Sequence, residues 1–443
     1  MDLAQTEAGL LLLALLFLFL GLGVWIGLAL MLVGFCGVVV LPWLIPAMPA
    51  MPVEKVMATA IWQAMASWTL AALPLFIWMG EILFRTKLSE DMFRGLAPWV
   101  QRLPGRLMHV NVIGCAIFAA VSGSSAATAA TIGKMSLPAL TQRRYHLPMA
   151  MGSLAGAGTL GLLIPPSIVM IVYGVAAEVS VVRLFIAGIL PGLLLVGLFS
   201  GYIAIWSLLH PELTPPRDPS MPLRQKLRES AQLVPVMLLI GFVMSSIYFG
   251  WATATEAAVF GVVGALALSA WGGSLSWASL RDSLMGATRL ACMINLILAG
   301  AAFLTQAMAY SGIPAAMGAW VGAQGFSPGM IILVLTVIYL ILGCFIDGIS
   351  MIVLTASVVL PVISAAQFDL VWFGIFIVLV VEMAQITPPV GFNLFVIQGL
   401  TGQGIFAVAR ATLPFFILML VAVVIVTIFP GIVTWLPRTM LAG

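Results

Sequence analysis

Polar positions are rare along this chain and come in clumps, and the apolar runs between them are long. Runs near 8–20, 23–45, 56–84, 148–175, 184–209, 231–243, 246–268 and 279–307 are apolar almost throughout, the pattern of membrane-embedded helices. Read as one helix, residues 8–40 would be about 50 Å long against a hydrocarbon core of about 30 Å; a break at Gly21–Gly23 is predicted instead. Two polar clumps fall where apolar sequence should continue. Residues 121–134 read VSGSSAATAATIGK, nearly all small, with hydroxyls at Ser122, Ser124, Ser125, Thr128 and Thr131. The flanks, 108–121 and 128–140, make helices of only about 20 Å, too short to cross. They predict a re-entrant hairpin over 107–142. CFIDGIS, between apolar stretches 331–343 and 350–361, predicts a second hairpin over 330–365. Non-helical backbone at that depth must be buried in protein or line a cavity.

Each hairpin is followed by an interrupted segment. The first, within 148–175, contains GSLAGAGTLGLLIPPSIVM; the second, within 371–398, contains EMAQITPPVGFNLF. Paired prolines remove amide donors and clash with the preceding turn. They leave the carbonyls near Leu162–Ile164 and Gln385–Thr387 without helical partners.

The pattern is written twice. Moved by 223 residues, Pro138 falls on Pro361, Pro165 and Pro166 on Pro388 and Pro389, and Pro191 on Pro414. The loop charges do not repeat. Residues 85–106 hold Arg85, Lys87, Arg94, Arg102 and Arg106, whereas 308–329 hold no charge, and Arg143 and Arg144 fall on Ala366 and Gln367. By the positive-inside rule the two copies lie in opposite orientation, an inverted-topology repeat typical of secondary transporters. The fold class is therefore an all-α polytopic membrane protein. The first repeat is 1–209, a cytoplasmic linker with four basic residues spans 210–230, and the second repeat is 231–443. Arg281 and Arg410 then fall inside, while Arg183 is an exception. Both termini are predicted outside.

Composition agrees and narrows the class. The chain has 443 residues, 63% hydrophobic and 7% charged, against about 25% charged in soluble domains. A net charge of +3 is no footprint for nucleic acid. Cys36, Cys115, Cys292 and Cys344 lie in apolar runs without metal-like spacing, and the three histidines are scattered. An intramembrane enzyme would need a nucleophile with a base, or paired acids at metal spacing, and neither is present.

What remains is a site of small residues, hydroxyls, free backbone groups and two intramembrane acids. A helix beginning at Ala126–Thr128 would aim its partial positive charge at the first tip, suiting an anion. A helix ending at Val121 would aim carbonyls there, suiting a cation. Charge at the bilayer centre costs about 2.5–3.5 kcal/mol on insertion scales, which marks Asp347 and Glu382. Asp347 aligns with Ser124 at the tip and is read as a ligand for a hard cation, with an N-cap for the following helix as the alternative. Glu382 has the weaker case, as a hydrogen-bonding group or a proton site. Thr387 and Asn393 are polar groups on the same broken segment.

SGSSAATAATIGKMSLPAL, AGTLGLLIPPSIVMIVYG, GCFIDGISMIVLTASVVLP and ITPPVGFNLFVIQG resemble the large membrane subunit of the tripartite ATP-independent periplasmic (TRAP) transporters. The similarity runs nearly end to end. It implies an elevator-type transporter of the bacterial inner membrane, with periplasmic termini. A transport domain carrying both hairpins would move against a scaffold, with Na⁺ as the coupling ion. The implied solute is a carboxylate or sulfonate, delivered by a periplasmic binding protein, and the implied partner is a small membrane subunit on a separate chain. Mapped onto this sequence, the cation sites would use Ser122, Ser124, Gly156, Gly158 and Thr159, and Gly343, Asp347, Gly348 and Thr387. The solute would lie between the tips near Ser125, Thr128, Asn393, Pro166 and Pro389. A proton-coupled organic-anion transporter or a passive anion channel of similar fold is the alternative.

Overall fold

The computed structural model describes residues 3–45, 48, 51–85, 88–216, 221–231, 233–389 and 391–441. Lys87 of the basic loop, 217–220 of the linker and Val390 of the second proline segment lie outside them. Every regular element among the described residues is helical. Among the described residues six helices, Gly348–Ala365 included, are long and apolar enough to cross a membrane, or up to nine if each bent pair is counted as one span. The N-terminal run divides into Leu3–Gly21 and Ile26–Leu44, turning at Gly23 with φ +77°, a left-handed conformation that glycine adopts without a Cβ penalty.

The longest helix, Trp277–Ser311, packs along Ile26–Leu44 and Ala72–Phe84. Small residues allow the first of these contacts. A Cβ on Gly300 would lie 2.3 Å from the Gly27 carbonyl oxygen, and one on Gly27 would lie 2.8 Å from the Leu296 backbone. Without a hydrophobic drive between helices in lipid, such close backbone packing is a main source of association. Gly300→Ala is therefore expected to pry the pair apart and cost about 1–3 kcal/mol, read as a lowered melting temperature in detergent. Gly201→Ala, with nothing within 4 Å of its Cβ position, should show no loss.

The inner layer carries the broken segments. Leu370–Gln385 is buried from Val371 to Gln385, and Leu147–Gly158 and Ile168–Ala176 are nearly as enclosed. Two hairpins pack on this layer. Met108–Ser122 and Ser125–Gln142 form the first, Pro328–Leu342 and Gly348–Ala365 the second. At an offset of 223 residues, Ser125–Gln142 lands on Gly348–Ala365, and the helix start at Leu147 lands on that at Leu370. The cis bond Pro165–Pro166 lands on Pro388–Pro389, and Arg144 (φ 59°) on Gln367 (φ 60°).

Within 210–230 the chain forms a short 3₁₀ turn, Pro211–Leu213, and a helix, Leu223–Ser230. That helix is fastened to Leu88–Val100 by three bonds. Lys226 Nζ donates to the Pro98 carbonyl (2.9 Å), Trp99 Nε1 to Ser230 Oγ (2.7 Å), and Ser230 Oγ to the Gly95 carbonyl (3.0 Å).

Candidate functional site

The first hairpin turns at Gly123, whose φ of +57° ends the incoming arm. The returning arm starts at Ser125, one residue ahead of the expected Ala126–Thr128, because Ser124 caps it by accepting from the Ala127 amide (3.4 Å). The tip hydroxyls bond to one another. Ser122 Oγ lies 2.6 Å from Thr128 Oγ1, which donates to the Ser124 carbonyl at 2.8 Å. Ser122, Ser124 and Thr128 thus form one local cluster.

Ser125 belongs to a different and larger junction. Its hydroxyl is 2.9 Å from Glu382 Oε2 and 3.1 Å from the Gly158 carbonyl oxygen, and it accepts from Asn393 Nδ2 at 2.8 Å. Glu382 Oε1 accepts the Leu162 amide at 3.1 Å. The first tip, the stretch that leads into the first proline pair, and both parts of the second broken segment therefore meet here. Glu382 is 1% exposed, Asn393 is fully buried, and Asn393 Oδ1 has no partner among the described residues. Acceptors converge on this point without a cationic side chain bonded to them among the described residues. Gly161 brings the break onto the tip, since a Cβ there would lie 2.5 Å from the Ser124 carbonyl oxygen.

The breaks hold their polar groups more tightly than expected. The Leu162 carbonyl accepts from Ser167 Oγ, so it is not free, because the serine after the prolines folds back to replace the missing donor. Pro166 is buried behind it, with its carbonyl against the tip glycine, 3.2 Å from a Cβ position on Gly123. Thr159 Oγ1 donates to the Gly156 carbonyl. In the second break Thr387 Oγ1 donates to the Met383 carbonyl (2.7 Å), and Pro389 is exposed.

At the second tip, Asp347 takes the cap geometry. Oδ2 accepts the amides of Ile349 (3.1 Å) and Ser350 (3.2 Å), and Oδ1 accepts the Ser350 hydroxyl. Gly343 touches Ala384 and Gly348 touches Val381, each too closely for a Cβ. Cys344 Sγ reaches the Pro388 carbonyl at 3.5 Å. The described hydrogen bonds do not join Asp347 to Thr387. The residue that sequence reasoning underweighted is Glu382. At the 223-residue offset it falls on Thr159, already singled out, and that correspondence was the available signal.

The arrangement defines an integral membrane transport protein, with two broken segments and one hairpin tip converging on a buried polar centre. A sequence profile described as "Tripartite ATP-independent periplasmic transporter, DctM component" matches residues 13–432. The C4-dicarboxylate TRAP transporter large permease protein DctM of Pseudomonas aeruginosa is 34% identical over 387 residues, covering 86% of this chain and 89% of that one. Its counterpart from Rhodobacter capsulatus is 33% identical over 435 residues, covering 93% and 97%. The isethionate TRAP transporter permease protein DctMQ of Oleidesulfovibrio alaskensis is 30% identical, covering 88% of this chain and 61% of that one. Among solved structures, the Alcanivorax borkumensis YdaH transporter superposes with a TM-score of 0.60 at 12% identity, over 85% and 88% of the two chains, a likeness of fold alone. The chain belongs to the tripartite ATP-independent periplasmic transporter family, as its large membrane permease. It is a transporter subunit, not an enzyme.

Proposed function

We propose that this permease takes up a small organic anion, a carboxylate or sulfonate, across the bacterial inner membrane, driven by Na⁺. The observation that carries the reading is the junction of Ser125, Gly158, Glu382 and Asn393, where the first tip meets both broken segments. Helix N-termini at Ser125 and Phe392 supply neutral donors suited to an anion. Carbonyls and hydroxyls at the Ser122–Ser124 tip with Gly156–Thr159, and at Gly343–Asp347–Gly348 with Thr387, supply hard oxygen ligands suited to Na⁺. The substrates that two relatives are named for, C4-dicarboxylate and isethionate, are anions of this class.

The two halves, 1–209 and 231–443 joined by 210–230, form an inverted repeat with both termini periplasmic. The recurrence of helix starts and proline breaks at one offset and the one-sided basic loops support this. The hairpins and broken segments move as an elevator against a scaffold built around Ile26–Leu44, Ala254–Trp271 and Trp277–Ser311. A periplasmic binding protein delivers the solute, and a small membrane subunit on a separate chain completes the scaffold. The larger DctMQ relative, of which this chain covers 61%, fits such a division of labour. Each net charge carried inward gains about 2.3 kcal/mol per 100 mV, enough for roughly fortyfold accumulation.

The test is uptake into proteoliposomes holding this chain and its small subunit, with binding protein and a labelled dicarboxylate or isethionate outside. Accumulation with an inward Na⁺ gradient, and not with K⁺, is expected. Equal accumulation in K⁺ at a fixed pH gradient would move the coupling to protons, and gradient-independent downhill flux would make the protein a passive pore.

A further inference from the structure

The two halves differ at two matched polar positions. Ser124 falls on Asp347 and Thr159 on Glu382 at the 223-residue offset, a hydroxyl in the first half and a carboxylate in the second each time. Asp347 serves its own hairpin, capping the helix that follows it. Glu382 does not act on its own hairpin. It reaches into the first half, to the Ser125 hydroxyl (2.9 Å) at the start of the first hairpin's returning helix and to the Leu162 amide (3.1 Å) at the first break. Each returning helix therefore begins beside a carboxylate, although the first half contributes none.

We propose that Glu382 is the acidic group of the first hairpin, supplied in trans: a positioning residue that fixes the tip through Ser125 and compensates the charge of a cation held beside it. Glu382 is 1% exposed, and it pairs with no Lys, Arg or His among the described residues. A buried carboxylate without a countercharge is costly. Around it the acceptors are in excess: the Gly158 carbonyl is 3.1 Å from Ser125 Oγ, and the buried Asn393 Oδ1 has no partner among the described residues. The partner such a cluster lacks is a cation or a proton on Glu382 itself, and only a cation makes stability depend on Na⁺ through this residue. The inference rests on the proposed Na⁺ coupling and adds a residue that reaches the proposed ion ligand Gly158 through Ser125 rather than touching the ion.

The test needs no solute. The chain with its small subunit is melted in detergent across a NaCl series, with KCl holding ionic strength constant. Glu382→Gln keeps the side-chain volume and an acceptor for the Leu162 amide but removes the charge. It should melt near wild type in KCl yet need about tenfold or more Na⁺ for half of the Na⁺-induced shift, the usual scale for residues that orient ion ligands. Ser125→Ala, which cuts the tie and leaves the charge, should raise that half-saturation by a smaller factor, and adding it to Glu382→Gln should change little. If Glu382→Gln does not fold, an unchanged half-saturation in Ser125→Ala overturns the proposal. A wild type that responds to Na⁺ with an unchanged Glu382→Gln overturns it alone; a wild type with no Na⁺ response overturns the coupling and this inference together.

Discussion

Asp347→Ala is expected to abolish Na⁺-driven uptake, and Asp347→Asn to abolish it too while leaving the protein as stable as wild type. The two substitutions separate two jobs that one side chain performs. As a cap, Asp347 accepts two backbone amides and the Ser350 hydroxyl, and losing it costs about 0.5–2 kcal/mol. Asparagine caps as well as aspartate does, so Asp347→Asn should melt with the wild type. As a cation ligand, the carboxylate contributes charge that an amide lacks. Removing a charged partner worth about 1.5–3 kcal/mol lowers the affinity for the ion by about 10- to 150-fold, and at ordinary Na⁺ the rate falls with it. Initial uptake rates, measured alongside melting curves, check both halves. If Asp347→Asn transports at the wild-type rate, the residue is a cap only.

The hairpins and breaks were legible because they are local chemistry. A run of small and hydroxylic residues marks each turn and paired prolines break a helix wherever they stand, but the returning arms, Ser125–Gln142 and Gly348–Ala365, run to 18 residues each, longer than the sequence pattern implied, and the second is long and apolar enough to cross. The partners of those residues were not legible. Ser125 and Glu382 are 257 positions apart, and nothing in either neighbourhood names the other. Sequence reasoning placed Ser125, Thr128 and Asn393 with the solute, and Ser122, Ser124 and Gly158 with a cation. The structure bonds Ser122 to Thr128 and Ser125 to Gly158, so the two sets share hydrogen bonds. Chain order could not divide them, because the hydroxyls of one turn point in different directions. The carbonyls near Leu162–Ile164 were expected to lack partners, but Ser167 shows that a nearby hydroxyl can claim one. Asp347 shows the same competition, since its carboxylate bonds the backbone amides and a hydroxyl of its own helix.

Gly161→Ala is expected to cut uptake at least about tenfold, for a reason that distinguishes the tip from an ordinary helix crossing. The new Cβ would lie 2.5 Å from the Ser124 carbonyl oxygen, 2.7 Å from its carbon and 2.8 Å from Ser125 Cα. All three are backbone atoms, so no rotamer change relieves the overlap and the tip itself must retreat. It has little freedom to do so, because Gly123, with φ +57°, already sits against the Pro166 carbonyl. The junction bonds of Ser125, at 2.8–3.1 Å, lie well within hydrogen-bond range, and a retreat of several tenths of an ångström to about 1 Å takes them out of it. Overpacking of this kind also costs about 1–3 kcal/mol of stability, so a lower melting temperature should accompany the slower uptake. Gly197→Ala, with nothing within 4 Å of its Cβ position, lies inside a helix where alanine gains up to about 1 kcal/mol, and should transport normally. A Gly161→Ala protein with both wild-type rate and wild-type stability would mean that the break does not position the tip, and the polar junction would then have to be held by Glu382 and Asn393 alone.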